Sequence, residues 1–91
     1  MRLPGRPRYN PRMTVHVKWF PMLVKRMKSG QERTEVDWRP GLTPQAIFLD
    51  EGFKDADLEA IMVVINDHQS QPTTPLSDDD RLEFLVSIQG G

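Results

Sequence analysis

The sequence predicts an α+β domain, a mixed sheet of four or five strands with one main helix packed across it. Three observations carry this expectation. Residues 14–20 and 34–38 alternate apolar and polar side chains as half-buried strands do; a short apolar-rich run, 46–51, follows a helix-start signal; and two further apolar runs, 60–65 and 81–88, are separated by a polar stretch.

In TVHVKWF, residues 14–20, Val15, Val17 and Trp19 alternate with Thr14, His16 and Lys18, and Pro21 stops the strand. Residues 22–28 fit either a helical turn or a returning strand, closed by Ser29-Gly30. A second strand over 34–38 sets Val36 and Trp38 against Glu35 and Asp37, which suggests an antiparallel pair with the first. Thr43 then offers a hydroxyl N-cap and Pro44 the first helical position, and the helix runs to Gly52. At about eight residues, roughly 12 Å, it is too short to stand alone and must lie on a sheet.

Asp55, Asp57 and Glu59 predict an acidic loop, after which AIMVVI, residues 60–65, is apolar on both faces and reads as a central strand, covered on each side or exposed at a partner surface. Asn66-Asp67 turns it. The polar crossover HQSQPTTPLSDD leaves room for a short edge strand at most, because Pro72 and Pro75 cannot donate to a ladder. Asp78, Asp79 and Asp80 read as a turn whose carboxylates bond nearby amides. The last strand, 81–88, points Leu82, Phe84, Val86 and Ile88 inward, and Gln89-Gly90-Gly91 follow. Two strands, a helix, a central strand, a polar crossover and a final strand is the order of a β-grasp.

Ninety-one residues make one small domain without room for a deep two-lobed cleft. With no cysteine, the chain has no disulfide and no thiolate metal site, and its own side chains carry no thioester or persulfide. The longest apolar run, 60–65, is far short of a membrane span, and the N-terminus has no apolar signal core, so a soluble cytoplasmic protein with no membrane partner is expected. Of twelve Lys and Arg, four (Arg2, Arg6, Arg8 and Arg12) fall in residues 1–13 with no acid; the rest has eight bases and thirteen acids, so the arm is +4 and the body −5. Pro4, Pro7 and Pro11 mark that arm as disordered. The expected organisation is an arm over 1–13, a β-grasp domain over 14–88 and a flexible tail over 89–91.

The segment VINDHQSQPTTPLSDDDRLEFLVSIQGG resembles the C-terminal half of the ThiS/MoaD sulfur carriers, a family with the ubiquitin-like β-grasp fold. The matching features are Val64, Ile65 and Asn66 ending an apolar strand, Pro75-Leu76 after a crossover, Asp78 and Asp80 before the last strand, Leu82 and Phe84 within it, and Gly90-Gly91. The helix start 41–44 and the strand VHVKWF match the family's N-terminal half more loosely, so the resemblance spans 14–91. Asp67 and Asp79 stand where the family commonly has glycine; Asp tolerates the left-handed backbone such positions need.

The resemblance implies a mechanism. A ubiquitin-activating-type adenylating enzyme activates the Gly91 carboxylate, which becomes a thiocarboxylate that passes its sulfur to a downstream synthase in molybdopterin- or thiamin-type cofactor synthesis. ATP and Mg belong to the partner, and this chain binds no cofactor. The tail's own chemistry suits that role. Residues 89–91 extended span roughly 10 Å, and Gly90, lacking a Cβ, lets partner walls approach the backbone. Two other functions remain: a ubiquitin-like modifier joined through Gly91 to a lysine, or a β-grasp binding module whose basic arm contacts nucleic acid, a partner not expected on the leading reading.

Docking is expected on the sheet face away from the helix, through Phe20, Ile61, Val63 and Leu85, with Gln89 from the tail; a one-residue slip of register would exchange the two faces. The remaining candidates read as structural. His16 and His68 lie on different elements and fit no metal motif, so no metal site is expected; Asp78–Asp80 lacks the ligand pattern of a calcium loop; Thr43 and Ser77 have no accompanying base. Trp19 and Trp38 read as core, and Lys25, Arg26 and Lys28 as a solvated basic cluster.

Overall fold

The computed structural model describes residues 13–87. Strand β1 (Thr14–Trp19) is followed by a one-turn helix α1 (Pro21–Val24), β2 (Arg33–Asp37), the main helix α2 (Pro44–Asp50), a 3-10 helix (Asp55–Ala60), β3 (Ile61–Ile65), β4 (His68–Ser70) and β5 (Arg81–Val86). The strands form one sheet in the order β2-β1-β5-β3-β4. Only β1 and β5 run parallel; the other neighbours are antiparallel. The predicted fold class is therefore the observed one.

The local sequence explains each element. Val15, Val17 and Trp19 are buried while Lys18 is exposed, the period of two that a sheet with one covered face imposes. Pro21 cannot extend the strand but fits the first turn of a helix, so the undecided segment after it opens with one helical turn, to Val24, and continues as turns. In α2 the Thr43 hydroxyl accepts from the Ala46 N–H at 3.3 Å, Pro44 occupies the first turn, and Ile47 and Phe48 bury against the sheet. Gly52 leaves the helix at φ +99°, a backbone region that favours glycine.

One expectation needs correction. The acidic stretch after α2 is a 3-10 helix, whose start is closed by Asp57 accepting from the Lys54 N–H at 2.9 Å. As expected, β3 is an interior strand, between β5 in the middle of the sheet and the three-residue edge strand β4. Of the two expected reasons for the apolar character of AIMVVI, the structure fits an exposed second face: one register enters the core while the other forms a surface patch described below.

The core is an aromatic stack. Trp19 and Phe84 lie 4.4 Å apart between ring centroids, Phe48 and Phe53 4.3 Å apart, and Phe48 faces Phe84 at 5.5 Å, so helix, loop and sheet meet through rings. Both indoles satisfy their N–H: Trp19 Nε1 donates to Thr34 Oγ1 at 3.1 Å and Trp38 Nε1 to the Leu76 carbonyl at 2.6 Å.

A polar junction closes the opposite end of the sheet. The Thr14 N–H donates to Asp78 Oδ1, the Asp79 N–H to the Thr14 carbonyl, and the His16 N–H to the Asp80 carbonyl, at 2.9, 2.7 and 2.9 Å. Asp80 also accepts from Ser77 N at 2.7 Å and from Asn66 Nδ2 at 2.8 Å, while Asn66 Oδ1 accepts from Arg81 N at 2.9 Å. Asn66, Asp67 and Asp79 have φ of 50°, 70° and 70°, the left-handed backbone for which Asn and Asp are the least costly non-glycine choices.

Of the expected organisation, Met13 belongs structurally to the domain, its carbonyl accepting from Trp38 N at 2.9 Å. The rest of the arm, Ile88 and the tail lie outside the described residues.

Truncating the fully buried Phe84 to alanine is expected to cost about 3–5 kcal/mol, most of the stability of a domain this small. Its neighbour Leu85, on the other face, is expected to cost less than about 1 kcal/mol. Urea midpoints of Phe84→Ala and Leu85→Ala check both.

Candidate docking face and tail exit

Strand parity decides which residues each face of the sheet presents. Val15, Val17, Trp19, Leu82, Phe84, Val63 and Ile65 are buried under α2. The opposite face therefore carries Thr14, His16 and Lys18 from β1, Arg81, Glu83 and Leu85 from β5, and Met62 and Val64 from β3. The register sets Met62 beside Leu85, Val64 beside Glu83, and Glu83 beside Lys18. Met62, Val64 and Leu85 are half-buried and form an apolar patch next to a lane of charge.

This corrects the expected docking residues. Val63 is 2% exposed and points into the core, and Ile61 shares its register and packs against the same cluster. Phe20 is half-buried, packs on the core and serves as N-cap residue of α1. Leu85 stands on the outer face as expected, and Met62 and Val64 take the places assigned to Ile61 and Val63. In a run apolar at every position, alternation cannot tell the two registers apart; pairing with β5 does. Gln89, Gly90 and Gly91 lie outside the described residues.

Two concavities mark the surface. One, of about 910 Å³, runs from the β2 edge across the outer face and is lined by His16, Lys18, Arg33, Glu35, Arg81 and Glu83 among others. A smaller one, of about 270 Å³, lies among Leu58, Ile61, Met62, Gln69 and Ser87. Ser87 is the last described residue, and its N–H donates to the Ala60 carbonyl at 2.9 Å, so the chain leaves β5 beside this recess.

The strongest electrostatic feature is a histidine between two carboxylates. His16 Nε2 lies 2.8 Å from Asp79 Oδ1 and Nδ1 lies 3.3 Å from Glu35 Oε2. The hydrogen bond to Asp79, aided by that to Glu35, raises the His16 pKa above its ordinary value. The ring thereby joins β1, β2 and the acidic turn. His68 is exposed on β4, and among the described residues no three acidic or histidine side chains gather as a metal would need. In the basic cluster, Arg26 sits 5.6 Å over the Phe53 ring and 3.9 Å from Asp57, an exposed arrangement that covers the core edge.

No protein-family model matches the chain, and no curated protein does. Among solved structures, SAMP1 from Haloferax volcanii superposes with a TM-score of 0.63 at 20% identity, covering 86% of this chain and 99% of that one. The fold is the ubiquitin-like β-grasp. In this β-grasp the central strand is also the one that leads into the Gly-Gly segment. Among the described residues no helix is long and apolar enough to cross a membrane.

The raised His16 pKa has a definite sign. Protonation is favoured in the folded state, so the stabilisation is complete below the unfolded value, about 6.5, and is lost as pH rises through the higher folded value. The side chain is 41% exposed, and the effect is expected to stay under about 1 kcal/mol. Denaturation midpoints from pH 5.5 to 8.5 check it: the parent should fall toward His16→Gln as pH rises, and a parallel pair of profiles would deny the histidine this role.

Proposed function

We propose that this chain is a ubiquitin-like sulfur carrier, a substrate and carrier rather than an enzyme, whose Gly91 carboxylate is activated by an adenylating partner. The observation that carries the reading is the attachment of the Gly-Gly segment to β5, the strand held on both sides and stacked through Phe84 against Trp19. A reactive end that must enter another protein's active site gains precision when its base is fixed, because only the four residues after Ser87 then need ordering. The resemblance of residues 64–91 to the ThiS/MoaD carriers supports the same reading.

The chemistry follows from the carboxylate. Its oxygen attacks the α-phosphorus of ATP and releases pyrophosphate; a sulfide-equivalent nucleophile then attacks the acyl carbon and releases AMP, leaving a thiocarboxylate. Adenylation is required because a carboxylate by itself has no good leaving group. ATP and its Mg ion sit in the partner, and the thiocarboxylate sulfur goes to a synthase of molybdopterin or thiamin type. The partner docks on Met62, Val64 and Leu85, whose apolar area gives adhesion, while Lys18 and Glu83 beside it fix orientation. Gln89, which precedes the glycines in sequence, is the tail residue assigned to the partner's entry channel.

A second reading is a protein modifier, in which a lysine amine attacks the same adenylate or a thioester derived from it. It uses the same fold, which the likeness to SAMP1 shows, and the same Gly91 carboxylate.

Incubation with ATP, Mg, the adenylating enzyme and a sulfur donor is expected to raise the intact mass by the difference between one sulfur and one oxygen. Conjugates on a gel without that gain would select the modifier, and neither product would remove both readings. Gly90→Trp is expected to abolish activation with a melting temperature within about 2 °C of the parent. Leu85→Glu should weaken activation at least tenfold through docking alone.

A further inference from the structure

The sheet has two edges, and they differ. One is β4, three residues long and followed closely by Pro72. The other is β2, five residues long, which pairs with β1 on one side only. Hydrogen bonding sets which of its groups face outward. Trp38 N donates to the Met13 carbonyl and Trp19 N donates to the Glu32 carbonyl, so the even-numbered residues of this segment turn their main-chain groups toward β1. By alternation Arg33 and Glu35 direct their N–H and C=O groups away from the sheet. The larger concavity runs alongside, lined by Gln31, Arg33, Thr34, Glu35 and Val36, which leaves space next to this edge.

We propose that the β2 edge is a self-complementary surface through which two copies of this chain pair as antiparallel strands. The argument is one of charge and register. Strand edges are commonly blocked by charge, because a homotypic pairing brings like charges together. A two-fold axis through Glu35 would do that here, setting Glu35 against Glu35. A two-fold axis through Thr34 does the opposite: Arg33 of each copy faces Glu35 of the other, twice, on the outer face, and the outward main-chain groups of 33 and 35 bond in pairs. Glu35 is already held at this edge by His16 at 3.3 Å, and among the described residues Arg33 has no carboxylate within ion-pair distance, so it is available to receive one. The contact is short, so the dimer is weak and reversible, and it leaves Met62, Val64 and Leu85 uncovered for another partner.

Sedimentation velocity of the full chain over about 10 μM to 1 mM, the range in which an interface of this size is expected to act, tests the proposal. The weight-average mass should rise from 10.5 kDa toward twice that value with concentration. Arg33→Glu and Glu35→Arg alone should each hold the chain monomeric, since either creates like charges at both pairs, and the double variant should restore association. Melting curves would confirm that all three variants are folded. A parent that stays monomeric throughout, or single variants that associate as it does, would overturn the proposal; a double variant that stays monomeric would overturn the Thr34-centred register.

Discussion

Trp19 and Phe84 face each other across the parallel pairing of β1 with β5, with ring centroids 4.4 Å apart. These residues lie far apart in sequence, so bringing them together closes a long loop, and the entropic cost of that closure is offset by the contacts of the parallel pair and its stacked rings. Both are fully buried, and Phe48 from α2 and Phe53 from the loop beyond it complete the layer. The helix is too short to be stable alone and is held by the stack it completes. Because Phe84 belongs to the central strand, the best-packed point in the domain lies three residues from Ser87, where the described chain ends.

The acidic turn complements this apolar contact from the other end of the same two strands. Asp78, Asp79 and Asp80 tie the start of β1 to the start of β5, and Asn66 joins the β3–β4 hairpin to Asp80 and Arg81. Carboxylates accepting main-chain N–H groups fix register in a way that apolar contacts do not, since a one-residue slip would leave those amides unpaired. The outer face is consequently well specified: the same register that buries Val63 presents Met62 and Val64 beside Leu85.

Much of this was legible in the sequence where a residue type has one local use. Thr43-Pro44 placed the start of α2, Pro21 the end of β1, Asn66-Asp67 the hairpin, and the alternation in TVHVKWF the buried set of β1. What escaped depended on partners distant in sequence. AIMVVI reads as an interior strand but offers no period, so its inward register came only with the pairing to β5. Phe20 belongs by alternation to the outer face, yet it packs against the core where the chain turns at Pro21. The link from His16 to both Glu35 and Asp79 spans three segments and has no signature along the chain. The Gly-Gly ending is visible in the sequence at once, and it lies outside the described residues.

A sulfur carrier and a protein modifier ask the same thing of this body: a fixed base for a slender reactive end. The central claim is that β5 is that base, and native-state hydrogen exchange measures it strand by strand. Amides of β1 and of Leu82–Val86 in β5 are expected to exchange only through global unfolding, while those of the edge strands β2 and β4 open locally at lower free energy. If the β5 amides exchanged as readily as those of β4, the end of the chain would hang from a loose strand, and the account would fail.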